Sequence, residues 1–308
     1  MNGLIEFGKG IQYDPVMDRF QYEGDFKGLE LSQTLTAYLY LTLDCNLKCG
    51  FCKRDSPLNP LTPEINDLKE IFDSLAPNGQ PHRTVVTGGE PFLVENIEEL
   101  LRYAAEQGHI INLTSNGILV RPSRSLVDSV AMFEIGLDGP DEETYTSMRR
   151  VDEFSTVVGN IDELSNMGSV VRVTYLLTKV NYEKAREMPR LCSDLGINML
   201  RLQRIRRVGR FLRNIDEFDL SEEEVRRAVI ETREEAERYG VDLRTPMVAP
   251  IHYGTVHIYP EGDIVTRRNP EKTDRGVIGN LHEGSMEDFW DPILADAHKN
   301  FVLSQNRV

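Results

Sequence analysis

The sequence predicts an α/β protein built on a parallel sheet. Between residues 38 and 213, apolar runs typical of buried strands alternate with stretches typical of helices. Six strands separated by helices favour a parallel sheet with right-handed crossovers. A closed eight-stranded barrel would need more chain than this. The expected architecture is therefore a partial barrel of six strands, (β/α)6.

The strand and helix predictions follow the chain in order. The predicted strands span residues 38–43, 84–87, 110–114, 132–137, 170–177 and 199–203. The predicted helices lie near residues 63–76, 95–107, 123–130, 141–166 and 182–195. Thr62 as N-cap, with Pro63 in the first turn, marks the start of the first helix.

Shorter segments flank this core. Two alternating runs around Asp14 and Pro15 predict a β-hairpin near the N-terminus. Ser221 and Glu224 form a capping box at the start of a long helix, and residues 256–265 predict a second hairpin. The expected organisation is an N-terminal cap at 1–37, a core at 38–213, a linker helix at 214–240 and a small C-terminal extension at 241–308.

Composition limits the classes of function. The chain has 308 residues and a formal net charge of −15, which disfavours binding to nucleic acid. No apolar run approaches the roughly 18 residues of a membrane span, and the N-terminus lacks the pattern of a signal peptide. We therefore expect a cytoplasmic protein without membrane contact. Four cysteines in so long a chain do not indicate a disulfide framework.

Three cysteines lie in one loop after the first predicted strand. Cys45, Cys49 and Cys52 have the spacing C-x3-C-x2-C. Thiolates are the usual ligands of iron–sulfur clusters, and a four-iron cubane normally takes four of them. Three thiolates would leave one iron without a protein ligand and open to a small molecule. The spacing therefore points to catalysis.

Two other interpretations of the cysteine loop stay open at this point. A zinc site would need a fourth ligand, from a histidine or from Cys192. The cysteines could also be core residues, because free cysteine packs as a small hydrophobe.

A glycine-rich turn follows the second predicted strand. Gly88, Gly89 and Glu90 precede Pro91 directly after an apolar run. Glycines allow a close approach of the backbone to a ligand, and a fixed carboxylate suits a bound ammonium group. An ordinary strand-to-helix turn is the alternative for such a short motif.

The two motifs together, in this order, resemble those of the radical S-adenosylmethionine (SAM) superfamily. The resemblance implies a TIM-like partial barrel in which Cys45, Cys49 and Cys52 hold a [4Fe–4S] cluster. The fourth iron would bind the amino and carboxylate groups of SAM. One electron, supplied by a donor such as flavodoxin or ferredoxin, cleaves SAM to methionine and a 5′-deoxyadenosyl radical that abstracts hydrogen from a substrate.

The resemblance also assigns SAM contacts. Phe51 matches an aromatic residue near the adenine, and Gly88, Gly89 and Glu90 match contacts to the methionine amino group. The further candidates are Ser115 and Asn116 in a Thr-Ser-Asn-Gly turn, Asp138 in a Gly-Leu-Asp-Gly segment, and Arg149 or Arg150 opposite the SAM carboxylate, with an exposed helix end as the alternative for the two arginines. Gly136 replaces the usual serine of the family, so we expect a hydroxyl contact to be lost.

An arginine-rich stretch follows the sixth predicted strand. Six arginines lie between Arg201 and Arg213 in an otherwise acidic chain. Guanidinium groups bind carboxylates and phosphates bidentately. Arg204 and Arg206 are therefore the first candidates for binding an anionic substrate. The alternative is a solvated loop whose arginines pair with acidic residues of 216–224.

The C-terminal extension resembles the SPASM or twitch modules of the same superfamily, which carry auxiliary iron–sulfur clusters. No cysteine lies beyond Cys192, so this extension is expected to hold no cluster. Redox-neutral outcomes such as epimerisation, C–C coupling, elimination or decarboxylation are then favoured over dehydrogenation. Cys192 lies on a predicted outer helix in register with Met188 and Leu195, so core packing is favoured over a role as hydrogen-atom donor.

Three functional hypotheses follow. The first is a radical SAM enzyme acting on an anionic small molecule, such as a nucleoside, a nucleotide-sugar or a sugar acid, in specialised metabolism. The second is a peptide-modifying maturase or epimerase. The third is a non-catalytic iron–sulfur or zinc protein, which would leave the Gly-Gly-Glu-Pro turn unexplained.

Overall fold

The computed structural model describes residues 5–6, 11–14, 19–22, 36–53, 63–75, 82–205, 207, 209–245, 255–265 and 277–284. The first three strands are β1 (Ile5–Glu6), β2 (Ile11–Asp14) and β3 (Arg19–Tyr22), which form a separate antiparallel sheet. The predicted N-terminal hairpin is confirmed by the pairing of β2 with β3.

The core sheet contains the six predicted strands, all parallel and in sequence order. They are β4 (Thr36–Tyr40), β5 (His82–Thr87), β6 (His109–Ser115), β7 (Met132–Gly136), β8 (Val171–Leu177) and β9 (Met199–Arg204). The prediction of an α/β partial barrel is confirmed. The first strand ends at Tyr40, three residues earlier than predicted.

Six helices connect these strands: α1 (Ile65–Leu75), α2 (Ile97–Glu106), α3 (Arg124–Ser129), α4 (Glu142–Arg149), α5 (Phe154–Asn166) and α6 (Met188–Asp194). The predicted helix over 141–166 is divided because Arg150 adopts a left-handed conformation at φ 61° and ends α4. Residues 182–187 form a 3₁₀ segment, so α6 is shorter than predicted. Thr62 lies outside the described residues.

The two faces of the sheet have different neighbours. Alternate residues of a strand point to opposite sides. Phe133 and Ile135 of β7 are buried in the hydrophobic core, and Ile135 and Val157 of α5 both lie against the backbone of Gly117. Helices therefore cover this side of the sheet. Glu134, between Phe133 and Ile135, points into the concave interior of the partial barrel.

The sheet continues beyond the six core strands at both edges. After α7 (Ile215–Phe218) and α8 (Glu222–Tyr239) come β10 (Asp242–Arg244), β11 (Thr255–Ile258), β12 (Asp263–Val265) and β13 (Val277–Asn280). Strand β10 pairs in parallel with β9, and β11 pairs in parallel with β4. The hairpin of β11 and β12 was predicted. The division of the chain into cap, core, linker helix and extension stays a prediction.

Helix α8 begins as predicted. The Ser221 hydroxyl accepts a hydrogen bond from the Glu224 N–H, and the Glu224 carboxylate accepts one from the Ser221 N–H. Among the helices that the structure describes, none is both long enough and apolar enough to cross a bilayer.

Candidate functional site

The cysteine loop begins directly after β4, at the carboxyl edge of the sheet. Cys49 is buried, and Cys45 and Cys52 are half-buried. The Cys52 N–H donates to the Cys49 carbonyl at 3.2 Å, and the Leu47 N–H donates to Cys45 Sγ at 3.4 Å. A backbone hydrogen bond within the loop therefore brings Cys49 and Cys52 together, and all three sulfur atoms lie in the segment Cys45–Cys52.

Burial makes these thiols reluctant to ionise on their own. Burial raises the pKa of Cys45 to about 11, the Leu47 N–H opposes this, and Glu90 and the two other cysteines raise it further. Burial likewise raises the pKa of Cys49, against the positive charge of Arg149. Bound metal ions would reverse this balance, because a coordinated thiol is deprotonated. The donor set therefore suits a cationic iron–sulfur cluster.

The fit of the three loop cysteines to an iron–sulfur cluster rests on their thiol donors and on their spacing in the sequence. In the described part of the chain, no three His, Cys, Asp or Glu side chains already surround a single metal-sized point. Cys45, Cys49 and Cys52 as ligands therefore remain a prediction.

The glycine turn after β5 packs against the start of the cysteine loop. A Cβ atom on Gly89 would overlap the Asp44 carbonyl oxygen, and one on Gly88 would overlap the Thr42 carbonyl oxygen. The Gly89 N–H donates to Thr42 at 2.8 Å, and the Glu90 N–H donates to Asp44 at 2.7 Å. Both glycines are therefore required for this close backbone approach, whether or not they also contact SAM.

Glu90 is fully buried and joins two turns. Its Oε1 accepts hydrogen bonds from Ser115 Oγ at 2.8 Å and from the Phe92 N–H at 3.2 Å. Its Oε2 accepts one from the Asn116 N–H at 2.9 Å. Burial raises the pKa of Glu90 above its ordinary value, while these hydrogen bonds lower it. The carboxylate is thus held at one defined position at the carboxyl edge.

The turn after β6 also reaches the cysteine loop. Asn116 Nδ2 donates to Asn46 Oδ1 at 2.8 Å, and Asn116 Oδ1 accepts from the Ile118 N–H at 3.0 Å. Ser115 Oγ also accepts from the Gly117 N–H at 3.0 Å. The motifs after β4, β5 and β6 therefore form one hydrogen-bonded unit.

Arg149 occupies the space beside Gly136. A Cβ atom on Gly136 would lie 2.5 Å from Arg149 Nη2. The same Nη2 lies 2.6 Å from Asp138 Oδ2 in a buried ion pair, and Arg149 Nη1 lies 3.9 Å from Cys49 Sγ. The glycine at this position therefore makes room for the guanidinium group. Arg150, in contrast, is exposed and pairs with Glu217 at 2.5 Å.

Phe51 lies between a cation and a second aromatic ring. The Arg149 guanidinium carbon is 5.4 Å from the centre of the Phe51 ring. Phe218 of α7 meets the same ring edge-on, with centroids 5.8 Å apart. The Phe51 side chain is thus held in place next to the last cysteine of the loop.

Three arginines at and after the end of β9, Arg204, Arg207 and Arg210, have acidic or backbone partners. Arg204 pairs with Glu222 at 2.5 Å, and Arg207 pairs with Asp219 at 2.8 Å. These contacts favour the predicted alternative of a loop paired with the acidic segment 216–224. Arg206 lies outside the described residues, so the hypothesis that Arg204 and Arg206 bind substrate stays a prediction. Arg210 Nη1 instead donates to the Cys49 carbonyl at 3.2 Å.

Cys192 has no exposed surface and belongs to the hydrophobic core. Burial raises its pKa to about 12, against a backbone hydrogen bond that lowers it. Its helix, α6, packs against α8 and β9. These observations support core packing over hydrogen-atom donation.

Sequence reasoning missed several polar residues on the concave face. The Tyr40 hydroxyl lies 3.1 Å from His257 Nδ1, and the Tyr40 ring stacks on Tyr259 with centroids 5.0 Å apart. Glu134 and Arg172 form an ion pair at 3.0 Å in the middle of the sheet. In the sequence, such residues are marked by a polar or charged side chain that alternates with apolar side chains within a strand.

Comparison with protein families agrees with the geometry of this site. A model of the radical SAM superfamily matches residues 39–194, just over half of the chain. This chain belongs to the radical SAM superfamily. It is therefore an enzyme that uses SAM and a [4Fe–4S] cluster, which removes the hypothesis of a non-catalytic protein.

Two curated relatives illustrate the similarity of this chain to known proteins. The AdoMet-dependent heme synthase of Nitratidesulfovibrio vulgaris is 26% identical over 162 residues, covering 51% of this chain and 44% of the relative. The sporulation killing factor maturation protein SkfB of Bacillus subtilis (strain 168) is 28% identical over 291 residues, covering 86% of this chain and 68% of SkfB. The chain thus spans less than half the length of the heme synthase.

A solved structure shares the fold. Streptococcus suis SuiB bound to precursor peptide SuiA matches with a TM-score of 0.69 at 18% sequence identity. The match covers 85% of this chain and 66% of SuiB. Similarity at this level shows that the two chains share the partial-barrel fold.

Proposed function

We propose that Cys45, Cys49 and Cys52 hold the cluster and that the unit formed by the three turns after β4, β5 and β6 binds SAM beside it. The observation that carries this proposal is that Glu90 and Asn116 form hydrogen bonds to the neighbouring turns. When bound, the cluster supplies the electron that cleaves SAM to methionine and a 5′-deoxyadenosyl radical.

The protein residues around this site position and shield the cofactors. Glu90, Ser115 and Asn116 hold the turns in register, so that polar groups at the carboxyl edge stay fixed. Arg149 places a positive charge beside Cys49, and its pairing with Asp138 keeps that charge in a buried position. Phe51 contributes an apolar surface next to Cys52. Arg149 is the candidate for a contact to the SAM carboxylate, and Asp138, which pairs with Arg149, is a further candidate for a contact to SAM.

Anaerobic reconstitution tests the cofactor assignment. After addition of iron and sulfide, the protein should contain about four irons per chain, and the EPR signal of the reduced cluster should change when SAM is added. Cys45→Ala, Cys49→Ala and Cys52→Ala should each lose the cluster, whereas Cys192→Ala should retain it. About eight irons per chain, or a cluster retained in all three loop variants, would contradict the assignment.

The substrate that we propose is an anionic small molecule, such as a nucleoside, a nucleotide-sugar or a sugar acid. Charge on the concave face supports this, since guanidinium groups lie on the strands that line the barrel interior. An external one-electron donor such as flavodoxin or ferredoxin would supply the electron. The absence of cysteine after Cys192 supports redox-neutral chemistry such as epimerisation, C–C coupling, elimination or decarboxylation.

A peptide substrate is the second candidate, and the comparisons favour it. SkfB, which aligns with 86% of this chain, is named a maturation protein, and SuiB was solved with a precursor peptide. The test is a deuterated metabolite and peptide extract, from source cells grown in deuterated medium, that is separated into peptides and small anions and incubated with the reduced holoenzyme and unlabelled SAM. Deuterium that reaches 5′-deoxyadenosine from the peptide fraction would replace the first candidate, and deuterium that comes only from the small anions would remove the second.

A further inference from the structure

The segment that follows β9 packs against the cysteine loop. It contains a 3₁₀ turn, Gly209–Arg213, and helix α7, and we refer to residues 209–218 as the clasp. Phe211 and Phe218 of the clasp have no exposed surface. The Phe218 carbonyl accepts a hydrogen bond from the Lys179 N–H at 3.1 Å. The clasp is therefore anchored in the core and at the turn after β8, independently of its contacts with the cysteine loop.

Asn214 joins the clasp to the middle of the cysteine loop. Its Nδ2, which carries two hydrogens, donates to the Gly50 carbonyl at 3.1 Å and to the Arg210 carbonyl at 3.1 Å. An asparagine at a helix N-cap usually accepts a hydrogen bond from the first turn of its helix. Asn214 is the N-cap of α7, but its side chain makes no such bond. Its amide instead holds the backbone of the loop.

Gly50 allows the loop to lie directly on the clasp. A Cβ atom at this position would lie 2.7 Å from Phe218 Cε2 and 3.5 Å from Asn214 Nδ2. The Phe218 ring is fully buried, so it has little room to move away. The same ring meets the edge of Phe51. The residues between Cys49 and Cys52 are thus fitted to the clasp by shape as well as by a hydrogen bond.

The contact with Asn214 fixes the direction of the peptide group between Gly50 and Phe51. This peptide is planar and trans, so its carbonyl and its N–H point in opposite directions. Because the Gly50 carbonyl faces Asn214, the Phe51 N–H points away from the clasp. The preceding peptide is held in the same manner, since the Cys49 carbonyl accepts a hydrogen bond from Arg210 Nη1 at 3.2 Å.

Two backbone N–H groups of the loop donate to no acceptor in the part of the chain that the structure describes. They belong to Gly50 and Phe51, and both residues are buried. Buried backbone N–H groups are almost always paired. Sulfur atoms of iron–sulfur clusters accept hydrogen bonds. These two donors therefore suit a cluster held by the flanking cysteines.

We propose that Asn214 is a positioning residue for the iron–sulfur cluster. By holding the Gly50 carbonyl against the clasp, it keeps the Phe51 N–H directed at a sulfur atom of the cluster. Such a hydrogen bond stabilises the reduced cluster more than the oxidised one, because the reduced cluster carries one more negative charge. Asn214 thus raises the reduction potential and slows the loss of iron. This inference rests on the proposed function, in which Cys45, Cys49 and Cys52 are the ligands.

An EPR-monitored redox titration of the reconstituted protein tests this proposal. Asn214→Ala removes the donor without adding bulk, so its midpoint potential should be more negative than that of wild type. Its loss of iron to a chelator should be about tenfold faster. Asn214→Leu fills the space of the amide but cannot donate. It should shift both quantities in the same direction, which excludes a cavity as the cause.

A matched asparagine elsewhere in the chain is the control. Asn280 Nδ2 also donates two hydrogen bonds, to the Glu261 carbonyl at 2.9 Å and to Asp263 Oδ1 at 2.9 Å. These contacts lie within the C-terminal hairpin and not at the cysteine loop, so Asn280→Leu should keep the potential and the iron retention of wild type. The circular dichroism spectra of the Asn214 variants should match that of wild type, because the clasp keeps its other anchors.

Three outcomes would overturn the proposal. The first is wild-type potential and iron loss in both Asn214 variants. The second is an equal shift in Asn280→Leu. The third is loss of the native circular dichroism spectrum in both Asn214 variants, because the amide would then serve folding and not the cluster.

The wild-type protein distinguishes failure of this inference from failure of the proposed function. A wild-type chain that takes up no cluster, or whose EPR signal does not respond to SAM, would refute the proposed function. A wild-type chain with a SAM-responsive cluster, together with unchanged Asn214 variants, would refute only this inference.

Discussion

At the scale of single residues, the site depends on backbone approach as much as on side-chain chemistry. Gly89 lies against the Asp44 carbonyl, and the adjacent Glu90 N–H donates to that carbonyl oxygen. The glycine therefore sets the distance between the turn after β5 and the cysteine loop. A side chain at this position would separate the two segments.

Gly89→Ala should for this reason impair the cluster site. The added methyl group overlaps backbone that has no flexible end to move, so we expect iron content after reconstitution and SAM cleavage both to fall by more than about tenfold. Iron analysis and 5′-deoxyadenosine release measure the effect. Gly159→Ala in α5 is the control, because among the described residues nothing beyond its chain neighbours and its own helix backbone lies within 4 Å of its Cβ position. Full iron content in Gly89→Ala would show that the loop tolerates the separation.

His109 links three elements in a neutral form. One ring nitrogen lies 2.9 Å from Thr84 Oγ1 of β5, and the other lies 3.0 Å from the Phe72 carbonyl of α1. Burial lowers the pKa of His109 to about 4, against its hydrogen bond to the Phe72 carbonyl, which raises it. The folded protein therefore binds this proton less readily than the unfolded chain does.

Acid should destabilise the protein through His109. Between its unfolded pKa of about 6.5 and its folded pKa of about 4, the unfolded chain binds more protons, so the free energy of unfolding rises with pH and falls as pH is lowered. We expect a loss of about 2 kcal/mol from pH 7 to pH 5 at this residue. Urea unfolding at both values measures it. His109→Gln, which does not titrate, should show a smaller loss, and an equal loss would contradict the assignment.

At the scale of secondary-structure elements, local signals set helix boundaries well where side chains cap them. Ser221 and Glu224 satisfy each other's backbone N–H groups at the start of α8. Asp141 likewise caps α4 by accepting from the Thr144 N–H at 2.8 Å. The break between α4 and α5 has no such signal, because it depends on the left-handed conformation of Arg150.

Ser221→Ala should destabilise α8 through the loss of this cap. The substitution leaves the Glu224 N–H without its acceptor, so the free energy of unfolding should fall by about 1 kcal/mol. Chemical denaturation with circular dichroism measures it. Ser221→Asp retains an acceptor and should remain near wild type, and a similar loss in both variants would show that the cap is not the cause.

At the scale of the whole molecule, the C-terminal strands complete the sheet that carries the site. Strand β11 pairs with β4 along Thr36–Leu39, immediately before the cysteine loop. Val256, Ile258 and Ile264 of β11 and β12 are fully buried. The strand that leads into the cysteine loop is therefore paired with a strand that lies more than 200 positions later in the chain.

Truncation after residue 245 should expose the β4 edge. An unpaired edge strand promotes association between chains, so we expect a larger assembly than that of the full chain on size-exclusion chromatography and a lower midpoint of urea unfolding. A chain that ends after residue 284 retains β11, β12 and β13 and serves as the control. A short form with the same assembly state as the full chain and an unchanged midpoint would show that the core sheet is independent of β11.

Much of the fold follows from local pattern. The six strands, the helices between them and the capping box were predictable because apolar periodicity and capping residues act over a few positions. The motif residues of Cys45–Cys52, Gly88–Glu90 and Ser115–Asn116 could be found the same way. The sequence alone also placed these turns at one edge, since carboxyl ends of parallel strands meet there.

Only the tertiary structure decided which partners these residues take. The ion pairs of Arg201 with Glu134 and of Arg204 with Glu222 join residues 67 and 18 positions apart, so the arginine stretch divides between the barrel interior and the acidic segment. Gly136 accommodates Arg149, and β11 covers β4. Long-range contacts of this kind depend on strand register and packing, which no local pattern encodes.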